Sequence, residues 1–374
     1  MEGTIGLINN GNMCYLNASL QVISHLPFIK DLLILNEKNI NKTTMTYQLV
    51  ILLKSLWNNN NTINPIEFKK KFVKLRDNFF IGSNQHDAEE AFSCIIETMH
   101  EELSTSKKIS FVVSSKNLSQ FYKQQINLVQ QINNSKNEYD KQNLNNELIN
   151  LKKMMPDENL VIKSFRVIYN YNKLSYSIIT KYLTGYLHSN IKCPTLHCGY
   201  SSNKFDPCSH ITLSIPSNAI DIYDCIKNFS IPETLDDKNL WKCKNCNNYV
   251  NATKSISIWK SPTILVLQLK RFNYSTKRKN AKLIKFPINN LNIAQFISPI
   301  SYKLIPDSCY EYNLVSIINH SGSMNNGHYY SYCKNIDNKW YNYDDTIVNT
   351  INKLQLITSN AYLLFYVRND KNYQ

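Results

Sequence analysis

Cys14 stands in the segment GLINNGNMCYLNASLQ (Gly6 to Gln21), while GHYYSY (Gly327 to Tyr332) and WYNYDD (Trp340 to Asp345) stand near the other end of the 374 residues. A thiol, an imidazole and a carboxylate cooperate in nucleophilic catalysis only within hydrogen-bond reach of one another. A fold that uses all three must therefore close its first residues onto its last. Cys14 is followed by Leu16, Leu20, Ile23 and Leu26 at helical spacing. That places the thiol at or near a helix N-terminus, where the helix dipole favours the thiolate. His328 is the candidate base for the thiol proton, and Asp344 is the candidate to hold the ring in the correct tautomer.

The hydrophobic period changes along the chain. Residues 1 to about 104 read as mostly helical. GSNQHDAEEAFSCIIETMHEEL (Gly82 to Leu103) spaces Ala88, Phe92, Ile95, Ile96, Met99 and Leu103 as one helix face, with Asn84 or Asp87 able to cap its start. Residues 105 to about 174 contain FYKQQINLVQQINNSKNEYDKQNLNNELINLKKMM (Phe121 to Met155), rich in Gln, Asn and Lys. Its Ile126, Val129, Ile132, Leu144, Leu148 and Leu151 predict a helical hairpin or a short coiled segment inserted into the domain. From about 175 the pattern turns to strands. TILVLQLKRFNY (Thr263 to Tyr274), EYNLVSIINHSG, GHYYSYCKN, KWYNYDD and NAYLLFYVR are rich in β-branched and aromatic residues. Short turns such as SMNNG (Ser323 to Gly327) and NIDN (Asn335 to Asn338) predict antiparallel hairpins. Helices first and an antiparallel sheet after them indicate an α+β fold.

Hydrophobic residues at 43% and aromatics at 11% support a substantial core. No apolar run reaches the ~18 residues that a membrane helix needs, and the N-terminus lacks the basic and apolar regions of a secretory signal. The thiol segment begins so close to Met1 that no removable leader is expected. The formal net charge is +14. Lysine and asparagine are abundant nearly everywhere, and dense basic sequence occurs once, in TKRKNAK (Thr276 to Lys282), which reads as a loop. The charge is thus a compositional bias rather than a nucleic-acid surface, and neither nucleic acid nor membrane is expected as a partner. The abundance of Asn, Lys, Ile and Tyr also suggests an AT-rich genome.

Ten cysteines are present. In a chain this long without a secretory signal, reduced thiols in an intracellular compartment, cytoplasm or nucleus, are expected, some of them holding metal. Cys243 and Cys246 form a Cys-x-x-Cys knuckle, and KCPTLHCGY supplies Cys193 and Cys198. Two pairs set well apart fit a closed, tetrahedral Cys₄ zinc site. The first pair is Cys-x₄-Cys, so His197 is an alternative to Cys198. Thioredoxin-like redox use of Cys243 and Cys246 competes, but no βαβ pattern surrounds them.

The thiol and imidazole segments resemble the Cys and His boxes of the ubiquitin-specific proteases. The match runs through Gly6, Leu7, Asn9, Gly11, Asn12, Cys14, Tyr15, Asn17, Leu20 and Gln21, and departs at Met13, where Thr or Ser is usual. Gln85, Asp87, Ala88 and Glu90 resemble the family's Q-Q-D-A-x-E-F box, with Ala91 in place of its Phe, and the 263–274 segment resembles its L-V-x-x-L-K-R-F strand. The resemblance covers both ends of the chain and most of its middle, leaving out 105–174.

It implies a papain-like cysteine protease, a thiol-dependent ubiquitinyl hydrolase, built as a single catalytic domain over 1–374. Within it, 1–104 would be a helical thumb, 105–174 an insertion, 175–260 zinc-ribbon fingers and 261–374 a palm with an antiparallel sheet. Cys14 would be the nucleophile and His328 the general base and acid. Asp344, the first Asp of the motif, would orient His328. On a strand Asp345 would point to the opposite face, toward Asn9, a water or solvent. Asn9, with the backbone N–H of Cys14, would stabilise the oxyanion. Gln85, Asp87, His320, Gly327 and Tyr329 would contact the ubiquitin tail. Cys193, Cys198, Cys243 and Cys246 would hold a structural zinc, with Cys198 preferred because Gly-Tyr-Ser-Ser follows it. The partners implied are ubiquitin and ubiquitinated proteins. The rivals are a silent ubiquitin-binding scaffold, a protease for a ubiquitin-like modifier, and a zinc-ribbon nucleic-acid binder under which the catalytic boxes have no purpose.

Overall fold

The segment after Cys14 forms helix α1 (Cys14–His25), buried on every side. A helix enclosed all round must satisfy its polar side chains internally. Ser19 Oγ donates to the Tyr15 carbonyl (2.9 Å), Gln21 Nε2 donates to the Ile5 carbonyl (2.7 Å), and Ser24 Oγ accepts from Trp57 Nε1 (2.8 Å). The computed structural model describes residues 2–74, 80, 84–111, 113, 115–273, 275–324 and 326–370. Gly82 and Ser83 of the predicted helical segment, Tyr274 of the predicted strand and Asn325 of the predicted turn lie outside them.

Helices α2 (Met45–Asn58) and α3 (Ala88–Leu103), with the shorter helices Ile29–Leu35 and Ile66–Val73, complete the helical half. Of the two candidate caps for α3, Asp87 fills the position, its carboxylate accepting from Glu89 N at 2.8 Å. The 105–174 region is more than a hairpin. Helices α4 (Lys116–Asn134) and α5 (Glu138–Met154) are joined by a tight turn, and a third helix, α6 (Pro156–Leu174), follows at once with proline in its first turn. Leu118, Phe121, Val161, Ile162 and Ile168 of α4 and α6 pack onto Tyr186, Phe205 and Trp259 of the adjoining sheet, which anchors the insertion. Helix α5 buries Leu148 alone.

Strands β1 (Gly185–Lys192), β2 (Ser201–Cys208) and, after β3 (Ile211–Leu213), β4 (Thr253–Lys260) follow. A small sheet runs in the order β2, β1, β4 and the two-residue strand Glu233–Thr234. The large sheet adds β5 (Ile264–Leu269), β6 (Glu311–Gly322), β7 (Gly327–Lys334), β8 (Trp340–Asp344), β9 (Ile347–Ile351) and β10 (Ala361–Arg368). Its order is β9, β8, β7, β6, β10, β5, β3, antiparallel except for the parallel pair β3–β5.

Period two divides this sheet's side chains between two cores. Ile264, Val266, Leu363 and Phe365 face the helical half with α1, whereas Leu265, Leu267, Leu364 and Tyr366 enter a second core on the other side. Helix α1 lies against β6, β7 and β8. The α+β papain-like arrangement thereby brings the start of the chain against the strands near its end.

Candidate active site

The three residues expected to act together meet where α1 begins and β7 begins. Cys14 is the first residue of α1 and only 5% exposed. The turn before it is held by Asn9, whose Oδ1 accepts from Gly11 N and Met13 N, both at 3.0 Å. His328, the second residue of β7, is half-buried, and its Nε2 lies 2.5 Å from Asp344 Oδ1 at the end of β8. That fixes the ring and leaves Nδ1 for the Cys14 side chain. The neighbouring Cys14 side chain raises the His328 pKa most. Burial opposes it, Asp344 reinforces it, and the result stands at about 9. A histidine so raised keeps its proton at neutral pH and can face a thiolate.

Asp345 does not follow the strand. Its φ of +50° turns the chain out of the pleat, so it does not point away from Asp344 as alternation predicts. Polar atoms of His328, Asp344 and Asp345 all lie within 4.8 Å of one another. Asp345 Oδ2 accepts from Asn9 Nδ2 (2.8 Å), Oδ1 accepts from Asn17 Nδ2 (2.7 Å), and its carbonyl accepts from Leu7 N (2.8 Å). Gly6 must lack a side chain here, because a Cβ would come within 2.6 Å of the Asp345 carbonyl oxygen. Asp345 thus ties the turn before Cys14, the first turns of α1 and the end of β8 into one unit. Asn17 is one of the motif positions matched in the sequence, but no role was assigned to it there; its place three residues after Cys14 on α1 was the available signal.

A cleft of about 240 Å³ opens beside this unit, lined by Gln85, Asp87 and Glu90 on one side and Phe272, His320 and Tyr329 on the other. Gln85 grips the start of β7 through both amide atoms: Nε2 donates to the Gly327 carbonyl (3.1 Å) and Oε1 accepts from Gly327 N (3.3 Å). Asp87 accepts from Tyr362 Oη on both oxygens (2.9 and 2.8 Å), and burial pushes its pKa up to about 7. Burial lowers that of His320 to about 4, with Lys279 and His328 adding to the effect. His320 is therefore neutral and a weak proton acceptor. Glu90, Phe272 and Met324 also line the cleft and were not anticipated as site residues; Glu90 lies three positions after Asp87, hence on the same helix face.

Gly327 has a steric role that its neighbours reveal. A Cβ there would overlap the His320 imidazole, which is held between Phe272 (ring centroids 4.9 Å) and Tyr329 (4.6 Å). Gly327→Ala must displace either His320 or the strand that carries His328. It is expected to destabilise the fold by about 1–3 kcal/mol and to lower kcat more than tenfold. Thermal melting and steady-state kinetics of the same preparation check both.

Cys193, Cys198, Cys243 and Cys246 converge far along the chain from this site. Their sulfurs all lie within 4.8 Å of one another, with Cys193–Cys246 at 3.9 Å and Cys198–Cys243 at 3.6 Å. Each pair sits in a tight turn with a residue at positive φ, His197 and Gly199 in the first and Asn247 in the second. Asn245 Nδ2 donates to Cys198 Sγ (3.5 Å), and this bond, with one from the Tyr200 backbone, lowers the Cys198 pKa to about 6. Cys198, not His197, completes the group, which can hold one metal ion. None of the ten cysteines is in a disulfide. Among the described residues no single helix is long and apolar enough to cross a membrane.

A buried thiol at a helix start, a half-buried histidine and a carboxylate on its far nitrogen define a cysteine hydrolase. The ubiquitin carboxyl-terminal hydrolase family model matches residues 5–366, and the chain belongs to that family. It is 33% identical to the probable ubiquitin carboxyl-terminal hydrolase R319 of Acanthamoeba polyphaga mimivirus, over 99% of this chain and 91% of the relative. It is 28% identical to ubiquitin carboxyl-terminal hydrolase 2 of Bos taurus, over 98% of this chain but 55% of the relative, so it spans about half of that protein's length. In fold it is similar to a chain of the SAGA DUB module Ubp8/Sgf11/Sus1/Sgf73 bound to ubiquitin aldehyde. The TM-score is 0.67 at 24% identity, covering 99% of this chain and 70% of that one.

Proposed function

We propose that the chain is a deubiquitinating cysteine protease that hydrolyses the peptide or isopeptide bond after the C-terminal glycine of ubiquitin. The observation that carries this reading is His328 hydrogen-bonded to Asp344 and close enough to Cys14 for the thiol to raise its pKa, inside a chain of the ubiquitin carboxyl-terminal hydrolase family. The Cys14 thiolate attacks the glycine carbonyl carbon. The oxyanion takes the backbone N–H of Cys14 and the second N–H of the Asn9 amide, whose first is engaged by Asp345. His328 gives its proton to the departing lysine amine, and a thioester remains. His328 then takes a proton from water, which attacks the thioester, releasing the ubiquitin carboxylate and the thiol. Gln85, Asp87, His320, Gly327 and Tyr329 form the channel for the extended tail.

The four cysteines bind zinc. Zinc–sulfur bonds of ~2.3 Å in a tetrahedron place sulfurs about 3.8 Å apart, and the observed pairs bracket that value at 3.6 and 3.9 Å. The ion braces the fold and takes no part in the chemistry. The chain divides into thumb (1–104), insertion (105–174), fingers (175–260) and palm (261–374) of one catalytic domain. A reducing intracellular compartment, cytoplasm or nucleus, suits a protein with a nucleophilic thiol and no disulfide.

Hydrolysis of ubiquitin bearing a fluorogenic C-terminal amide tests the reading, and no turnover by folded, zinc-loaded protein would contradict it. The pH profile gives a sharper check. The ion pair needs His328 protonated, so kcat/KM is expected to hold through neutral pH and fall as His328 loses its proton near pH 9. Asp344→Asn removes one of the causes that raise this pKa, so the basic limb moves to lower pH. A limb unmoved by Asp344→Asn would show that Asp344 does not act on the imidazole.

A further inference from the structure

The insertion carries a surface that the proposed hydrolysis does not use. A groove of about 570 Å³ lies between α4 and α6, closed on one side by Ile109, Ser110, Phe111 and Val113. This falls within the ~300–1,000 Å³ typical of ligand pockets. Its apolar lining includes Phe111 stacked on Phe165 (4.1 Å), Ile162 and Tyr169. Along α4, Tyr122, Ile126 and Val129 continue that surface at i, i+4 and i+7, yet are 45%, 38% and 38% exposed. An apolar stripe of this spacing ordinarily faces another helix.

Two features say what would cover it. The first is backbone chemistry. The helical walls spend their backbone groups internally, so an occupant must satisfy its own, which a helix does and an extended strand does not. The second is charge. Residues 105–174 hold eleven lysines and arginines against five aspartates and glutamates. Among the described residues Arg166 is the one charged residue lining the groove, and Lys108, Lys123 and Lys173 stand exposed within a turn of lining residues. The nearest carboxylate by helical spacing is Glu158, one turn before Ile162. A second copy of this chain would set like charges together, in a protein of net charge +14.

We propose that the α4–α6 groove docks an acidic amphipathic helix of a partner protein, whose apolar residues at i, i+4 and i+7 meet the Tyr122–Ile126–Val129 ridge. The probe is a fluorescein-labelled synthetic helix with leucines on one face and glutamates on the other, titrated with the full chain and read by anisotropy. A peptide with lysines in place of the glutamates is the control. The expected result is saturable binding of the glutamate helix, at least about tenfold tighter than the lysine helix and weakened by added salt. Ile126→Asp is expected to weaken it about tenfold or more, while hydrolysis of the ubiquitin amide stays unchanged, since Ile126 is exposed and distant in sequence from the site residues. No saturable binding, equal affinity for both peptides, or indifference to Ile126→Asp would overturn the proposal. So would sedimentation of the free chain as a dimer that Ile126→Asp dissociates, which would assign the groove to a second copy.

Discussion

Cys14→Ala is expected to lower kcat for a ubiquitin C-terminal amide by on the order of 10⁶-fold, as removal of the attacking atom does in other covalent hydrolases, while leaving the melting temperature within a few degrees. Both halves follow from the packing. Cys333, which shares β7 with His328, cannot substitute: it lies five strand residues further on, it is fully buried, and burial pushes its pKa up to about 12. Nor does Cys14 hold the local structure together. That is the work of Asp345, through Asn9, Asn17 and Leu7, and all of these contacts remain in the variant. Steady-state kinetics beside a thermal melt of the same sample give the check. A variant that is folded yet retains more than a few per cent of the activity would remove Cys14 from the chemistry.

Loss of the proposed zinc is expected to have the second-largest effect, on different parts of the molecule. The strands that frame the Cys243 knuckle, Trp241–Lys242 and Tyr249–Val250, share only two residue pairs, and so short a ladder is not stable by itself. Closed zinc sites supply apparent binding free energies of about 10–16 kcal/mol in small zinc-binding peptides, far more than two strand pairs provide. A strong chelator, or Cys243→Ser, should abolish hydrogen-exchange protection around 193–200 and 241–250. Apparent KM for the ubiquitin amide should rise at least tenfold. Alkylation of Cys14 by iodoacetamide should change less than twofold, because α1 and its surrounding core share no buried residue with the four-cysteine group. Protection that survives removal of the metal would show that the knuckles fold without it.

The parts of the site that were legible in the sequence are those where chemistry and local setting coincide. Cys14 at the start of a helical pattern, His328 after Gly327, and the two cysteine pairs each combine a reactive side chain with a recognisable turn. What was hidden depends on contacts between distant segments. Alternation along β8 placed Asp345 on the face opposite Asp344, but its left-handed backbone breaks the period and brings both carboxylates to one region. Asn17 stands in the matched motif without a role until Asp345 comes within 2.7 Å of its amide. The need for glycine at 327 is set by the His320 ring on the neighbouring strand β6.

The fold shows the same division. Period two marked the strands well, yet it carries no direction, and the parallel pairing of β3 with β5 follows from chain topology. The predicted 263–274 strand stops at Leu269 and resumes at Phe272–Asn273. The interruption belongs to Arg271, whose buried guanidinium donates to the carbonyls of Ala361 (2.5 Å), Asn280 and Lys282 (both 2.9 Å) and so pins the following hairpin. A charged residue in a strand pattern gives no hint of such backbone partners. In the insertion, α6 follows α5 with a single intervening residue, so the two helices read as one polar region until the burial of Val161, Ile162 and Ile168 separates them.

The most direct test of the central claim is covalent capture. Purified chain is incubated with ubiquitin carrying a C-terminal electrophile, with Cys14→Ala alongside, and the products are read by intact mass. The structure predicts one adduct, on Cys14, absent from the variant. Folded, zinc-loaded protein that forms no adduct, or an adduct that persists in Cys14→Ala, would contradict it.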